Sequence, residues 1–225
     1  MKLTTLIFDL DNTIIDRNAA LKIAAGNWLD DQQFSGNKEA AITEIMLSDD
    51  WGYCDRTIFC SWLQMHYGKT RSVLQTPEEL FQQLITGMIP SFKPVPEVIE
   101  QFTLLQKKYR LVLATNGGGN NQRSKLKNAG LTHFFAPDDI FISGEMGVAK
   151  PDKYFFEQII TRANINPAEA MMSGDFLIND IEPAQRCGLH TCWLSYGRKN
   201  TETIHPDYEI ADITTLSDLL QFIEK

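Results

Sequence analysis

A short apolar stretch that stops on an acid constrains this chain more than any other feature. Leu3-Thr4-Thr5-Leu6-Ile7-Phe8 runs straight into Asp9-Leu10-Asp11-Asn12-Thr13. The run is short, β-rich and apolar on both faces, which predicts a strand buried inside a parallel sheet. Open α/β sheets gather ligands at the carboxyl ends of their strands. Two carboxylates placed there, with no basic neighbour in sequence, repel each other, and a cation relieves the repulsion. Asp and Asn are also ordinary turn residues, so an isolated Asp-x-Asp has a plain reading as a strand end followed by a turn. Three later segments decide between the two.

Beyond Thr13 the periodicity changes. Residues 17–93 show no convincing strand, and segments 20–29, 40–47 and 58–67 carry apolar residues at helical spacing. Thr76-Pro77-Glu78-Glu79 opens a further helix, with Thr76 as N-cap, Pro77 in the first turn and Glu79 closing a capping box. Ser91-Phe92-Lys93-Pro94-Val95-Pro96 is a stiff connector. Pro96 then opens a helix whose apolar face is Val98, Ile99, Phe102 and Leu105. From there strands expected at 111–115, 140–142, 170–173, 191–194 and 208–211 alternate with helices at 122–129, 153–163, 179–187 and 216–224. Gly130 and Gly188 sit where a left-handed residue would end two of those helices, and Asn166-Pro167-Ala168-Glu169 carries a helix-start signal. Alternating β and α with short connections means a parallel sheet covered on both faces. The expected organisation is an α/β core of residues 1–16 and 94–225, split after its first strand by a helical domain of residues 17–93.

A chain of 225 residues can bury a full core. A formal charge of −8 argues against a nucleic-acid polymer as partner, although a metal and a few basic groups can still reverse the field locally for a small anion. No apolar run approaches the roughly 18 residues of a membrane span. The opening residues also lack a signal-peptide pattern, so the cytoplasm is the expected location. Cys54, Cys60, Cys187 and Cys192 show no C-x-x-C spacing, and His66, His133, His190 and His205 are scattered, so neither a zinc site nor a histidine-based triad is expected. Nothing in the sequence distinguishes a monomer from a homodimer.

Leu111-Val112-Leu113-Ala114-Thr115-Asn116-Gly117-Gly118-Gly119 delivers a hydroxyl from an apolar strand into a glycine loop. Thr115, the Asn116 amide and the loop N–H groups suit an anion, while the run alone also reads as a strand with a flexible turn. Ala149-Lys150-Pro151-Asp152 places one lysine before a helix start. Ser173-Gly174-Asp175-Phe176-Leu177-Ile178-Asn179-Asp180 is a strand, a glycine and an acid, with a second acid five residues further on.

Together, D-L-D-N-T, the strand-end Thr115, G-V-A-K-P and S-G-D-…-N-D resemble the four motifs of the haloacid dehalogenase-like hydrolase superfamily, in the branch that hydrolyses phosphate esters. The resemblance implies a Rossmann-like parallel core with a helical cap after the first strand, and that strand lying centrally between strands two and four. It implies that Asp9 attacks phosphorus and that Asp11 protonates the leaving oxygen, then activates water. Thr115 and Asn116 would bind phosphate, and Lys150 would stabilise the transferring group and tie down Asp9. Mg²⁺ would be held by the Asp9 and Asp175 carboxylates and the Asp11 carbonyl, with Asn179 and Asp180 behind them. Thr13 would orient the phosphate or serve as a turn hydroxyl. Phe176 departs from the small hydroxyl residue usual at its place. The resemblance covers the α/β part nearly end to end, and the helical insert only in placement and size.

The implied activity is Mg²⁺-dependent hydrolysis of a small phosphorylated metabolite. D-N-T and G-V-A-K-P look most like pyrimidine 5′-nucleotidases, with N-acylneuraminate 9-phosphatases near by. Phosphoglycolate phosphatases and hexose-phosphate mutases share the motifs. Dehalogenases lack the second aspartate, which Asp11 supplies. A non-catalytic phosphate-binding module is the reading from a different class. The insert would be a lid, with Trp51, Tyr53, Arg56 and Trp62 as candidate substrate contacts, although aromatic residues at helical spacing also build cores.

Overall fold

The computed structural model describes residues 2–69 and 75–224. It divides into two compact units, Met1–Ile15 with Pro94–Lys225, and Asp16–Lys93.

In the first unit, strands β1 (Thr5–Phe8), β2 (Arg110–Thr115), β3 (Ile140–Ile142), β4 (Ala170–Gly174), β5 (His190–Leu194) and β6 (Tyr208–Ile210) form one sheet in the order β3-β2-β1-β4-β5-β6. Every pairing is parallel. As expected, β1 lies between β2 and β4, with Phe8 level with Leu113 on one side and Ser173 on the other. That register brings the carboxyl ends of three strands side by side. The continuous apolar runs exist because both faces are covered. Ile7, Val112, Ala114 and Met172 meet Phe155, Phe156 and Ile159 on one face. On the other face the Phe8 ring lies 5.0 Å from that of Phe102.

The second unit is helical: α1 (Arg17–Asp31), α2 (Lys38–Asp49), α3 (Arg56–Tyr67) and α4 (Pro77–Met88). Leu29, Ile45, Phe59, Leu63, Leu80 and Leu84 close its core. The Thr76 capping box forms in both directions: Glu79 N–H donates to Thr76 Oγ1 at 3.2 Å, and Thr76 N–H donates to Glu79 Oε2 at 2.8 Å. Inside this unit Asp49 is wholly buried, gripped by both terminal nitrogens of Arg17 at 2.6 and 2.8 Å and by Arg56 at 2.8 Å.

The remaining helices belong to the first unit: α5 (Pro96–Leu105), α6 (Gly119–Asn128), α7 (Ser143–Met146), α8 (Lys153–Arg162), α9 (Glu182–Arg186) and α10 (Leu216–Ile223). Gly130 and Gly188 take left-handed φ angles of 72° and 79° just past α6 and α9, as their positions predict. Two expectations are corrected. Asn166-Pro167-Ala168-Glu169 opens only a 3₁₀ turn, Pro167–Glu169, because β4 begins at the next residue. The helix expected at 179–187 is a π-helical turn, Leu177–Ile181, followed by the shorter α9.

Candidate active site

The site is built where β1, β2 and β4 end. Asp9 is the first residue after β1, and its N–H donates to Ser173 O at 3.0 Å, continuing the ladder to β4. Its carboxylate is buried, and Thr13 Oγ1 lies 3.4 Å from Oδ2. The chain turns back at once. The N–H groups of Thr13, Ile14 and Ile15 all converge on Leu10 O, and Asn12 sits at φ 57°, a left-handed position that Asn tolerates better than most residues.

Lys150 enters from the loop beyond β3 and α7. Its Nζ donates to Asp9 Oδ1 at 2.7 Å, to Asp180 Oδ1 at 2.6 Å and to Ala114 O at 3.0 Å. These use all three ammonium donors, so the cation is fixed in direction as well as in place. Burial opposes its charge, but Asp180 and Asp9 together outweigh that and raise its pKa. Burial also pushes the Asp9 carboxyl up to about 7, with Lys150 pulling it back and Asp180 adding to the rise. The Asn116 side chain pins the lysine's backbone, donating to Lys150 O at 2.8 Å and accepting from Lys150 N–H at 3.0 Å. Its side-chain amide thus ties β2's end to the lysine's loop. Thr115 Oγ1 is buried at the end of β2 and accepts from Gln122 Nε2 at 2.7 Å.

Asp175 follows β4. Its carbonyl accepts from Trp193 Nε1 at 3.0 Å and from Arg198 Nη2 at 2.6 Å, and the same guanidinium lies 3.3 Å from Oδ2. Asp180, on the π-helical turn, returns to the end of β4, where its Oδ2 accepts from Phe176 N–H at 3.1 Å. Gly174 makes that return possible. A Cβ there would lie 2.5 Å from Asp180 Cβ and nearer still to the carboxylate carbon.

Carboxylate oxygens of Asp9, Asp175 and Asp180 lie within 4.8 Å of one another. The Lys150 ammonium, with the Arg198 guanidinium 3.3 Å from Asp175 Oδ2, only partly offsets three such charges. An all-oxygen, strongly anionic donor set is the chemistry that hard divalent cations select, so these residues fit Mg²⁺. The set departs from expectation at one residue: the Asp180 carboxylate, expected behind the ligands, lies among them. The ligand atom expected of Asp11 is its backbone carbonyl, and its carboxylate is engaged elsewhere. Lys125 Nζ holds Asp11 through both oxygens at 2.7 Å, and Gln122 Nε2 donates to Asp11 Oδ2 at 2.9 Å. Asn179 is half-buried beside Asp180. Reasoning from sequence alone missed Gln122, Lys125, Arg198 and Gly174. A signal existed for the first two, since Gln122, Leu126 and Ala129 share one helical stripe and Lys125 flanks it.

Of the four residues expected to touch substrate from the helical unit, Arg56 is tied to Asp49 and Trp62 stacks on His66 with centroids 4.6 Å apart. Trp51 is 37% exposed on a left-handed backbone, and Tyr53 is half-buried. Among the described residues no helix is long and apolar enough to cross a membrane.

Comparison with known proteins agrees with this architecture. Residues 6–194 match the profile of the haloacid dehalogenase-like hydrolases. A Bacillus subtilis protein named as a HAD-hydrolase, YfnB, is 31% identical over 96% of this chain and 94% of its own. The Escherichia coli pyrimidine 5′-nucleotidase YjjG is 30% identical over 70% of this chain and 72% of its own. A crystal structure of YfnB, described as bound to magnesium, superposes with a TM-score of 0.81 at 28% identity, covering 98% of this chain and 99% of that one. The chain therefore belongs to the haloacid dehalogenase-like hydrolase family, and its named relatives put it with the phosphatases of that family.

Proposed function

We propose that this protein is a Mg²⁺-dependent phosphomonoesterase that works through an aspartyl-phosphate on Asp9. The observation that carries the reading is a buried carboxylate aimed from the central strand end, with Lys150 on one oxygen and two further acids beside it. A carboxylate is a weak nucleophile, and it attacks a phosphate ester only when the anionic charge of both partners is offset. A magnesium ion held by Asp9, Asp175 and Asp180 would neutralise that charge and polarise the phosphoryl group. An Asp9 oxygen forms a bond to phosphorus as the ester P–O bond breaks, and Asp11 gives its proton to the leaving oxygen. Water then attacks phosphorus, Asp11 takes its proton, the bond to Asp9 breaks and inorganic phosphate leaves. Lys150 stays bound to Asp9 throughout, and Thr115, at the end of β2, would bind the phosphate.

The substrate in this reading is a small phosphorylated metabolite, and the relation to YjjG favours a nucleoside monophosphate. Phosphate release from p-nitrophenyl phosphate, with Mg²⁺ and after EDTA, tests the reaction. Activity should require the ion and fall at least about a thousandfold in Asp9→Asn, in line with loss of a nucleophile. Full activity in that variant would end the assignment. Across a panel of phosphate esters, nucleoside monophosphates ranking no higher than sugar phosphates would end the nucleotidase reading alone.

A further inference from the structure

Lys125 is a buried cation that the reaction outlined above does not use. It is 6% exposed, on α6, and it spends its charge on both oxygens of Asp11. Gln122, three residues earlier and thus on the same side of the helix, is 2% exposed and donates from one amide nitrogen to two acceptors, Asp11 Oδ2 at 2.9 Å and Thr115 Oγ1 at 2.7 Å. An amide nitrogen has two hydrogens, so both bonds form together. The backbone makes room for this arrangement. Gly117 takes φ 141°, and a Cβ there would stand 2.9 Å from Gln122 Cδ. The glycine loop therefore has a packing reason: a side chain at 117 would push Gln122 off both partners.

We infer that Lys125 and Gln122 are positioning residues for the proton-transferring Asp11, holding its carboxylate in one orientation and linking it through a shared amide to Thr115. The inference rests on the phosphatase reading. A carboxyl that delivers a proton must meet the leaving oxygen at hydrogen-bond distance, and errors of about 1 Å in such groups cost on the order of a hundredfold in rate. Asp11 lies inside the turn that closes on Leu10 O, paired with Ile15 only through an isolated bridge. Two donors from a rigid helix supply the orientation that the turn lacks.

Leaving-group dependence tests this. The p-nitrophenolate anion departs without a proton, whereas an alkoxide needs one. We would compare kcat/KM, which reports the bond-breaking half-reaction, for p-nitrophenyl phosphate and 2-phenylethyl phosphate with Mg²⁺ present. In Lys125→Met the alkyl ester should lose about ten- to a hundredfold, and the aryl ester about threefold or less. Lys125→Arg, which keeps a cation on Asp11, should restore most of the alkyl activity. Gln122→Leu should shift the same ratio in the same direction, and it carries the comparison if Lys125→Met does not fold. Equal losses on both esters, or no loss, would overturn the inference, because a purely structural residue lowers both alike. Should folded wild-type protein hydrolyse neither ester, the phosphatase reading falls and the inference with it. An active wild type with an unchanged ratio in the variants refutes the inference alone.

Discussion

Gly174→Ala is a one-carbon change whose effect can be worked from the structure. The added Cβ would lie 2.5 Å from Asp180 Cβ, whereas non-bonded carbons rest at about 3.5 Å or more. Asp180 must therefore retreat by about 1 Å. It has no free direction in which to rotate, since Oδ1 is held by Lys150 at 2.6 Å and Oδ2 by Phe176 N–H at 3.1 Å. A shift of that size takes the lysine contact out of hydrogen-bond range and leaves a wholly buried carboxylate short of its cation. Losing a hydrogen bond to a charged group costs about 1.5–3 kcal/mol, and breaking a buried pair outright about 3–5 kcal/mol. A loss of about 3 kcal/mol lowers the melting temperature of a chain this size by roughly 6–12 °C. Gly118→Ala is the control. Its backbone, at φ −74° and ψ 138°, suits any residue, and a Cβ there meets only Asn121 Nδ2 at 3.7 Å. That variant should melt at or slightly above wild type, because alanine restricts the unfolded chain. Differential scanning calorimetry of the three proteins decides the matter. Gly174→Ala melting within about a degree of Gly118→Ala would refute the claim that Asp180 is packed against the strand end.

Asp9 gives a pH prediction with a defined sign. Burial raises its folded pKa from 3.8 to about 7, so its stabilising contribution is complete below 3.8 and is lost as pH rises through 7. In EDTA, wild type should therefore lose stability relative to Asp9→Asn between about pH 5 and pH 8 in urea unfolding, and Mg²⁺ should recover it at the upper pH; a difference that stays flat or grows the other way would contradict this. In the helical unit, Asp49→Ala strands two guanidinium groups, one of them with a side chain only 9% exposed. The loss should be about 3–5 kcal/mol, seen by hydrogen exchange as reduced protection in α1 to α4 with β1, β2 and β4 unchanged, and equal loss of protection in both units would count against it.

Much of the α/β unit was legible because the decisive signals were local. An apolar run that ends on an acid names both a buried strand and the direction in which its end faces, and this holds at Phe8–Asp9 and again at Gly174–Asp175. The capping box at Thr76 and the left-handed glycines at 130 and 188 are also settled within a few residues of chain. The order of the strands came from resemblance to the family and not from periodicity, which says nothing about which strands pair.

The placement of Asp180 and Asp11 shows where local reasoning stops. Five residues separate Asp175 from Asp180, and that spacing alone does not say which way the second acid faces. The turn is π-helical, with the longer hydrogen-bond step seen from Glu182 N–H to Leu177 O, and at its start Asp180 N–H donates to Phe176 O at 2.8 Å while the Asp180 carboxylate accepts from Phe176 N–H. That turn is favourable here only because Lys150, thirty residues earlier, presents a buried cation and Gly174 leaves the space. Asp11 goes the other way for the same kind of reason: Lys125 and Gln122, more than a hundred residues distant, compete for its oxygens and hold it toward α6. Each choice is made between side chains that meet only after the sheet has formed, so neither carries a signature within any short window of sequence. Acid spacing alone sets Asp180 behind the ligands, whereas in the fold its carboxylate oxygen lies within 4.8 Å of those of Asp9 and Asp175 and shares Lys150 with Asp9.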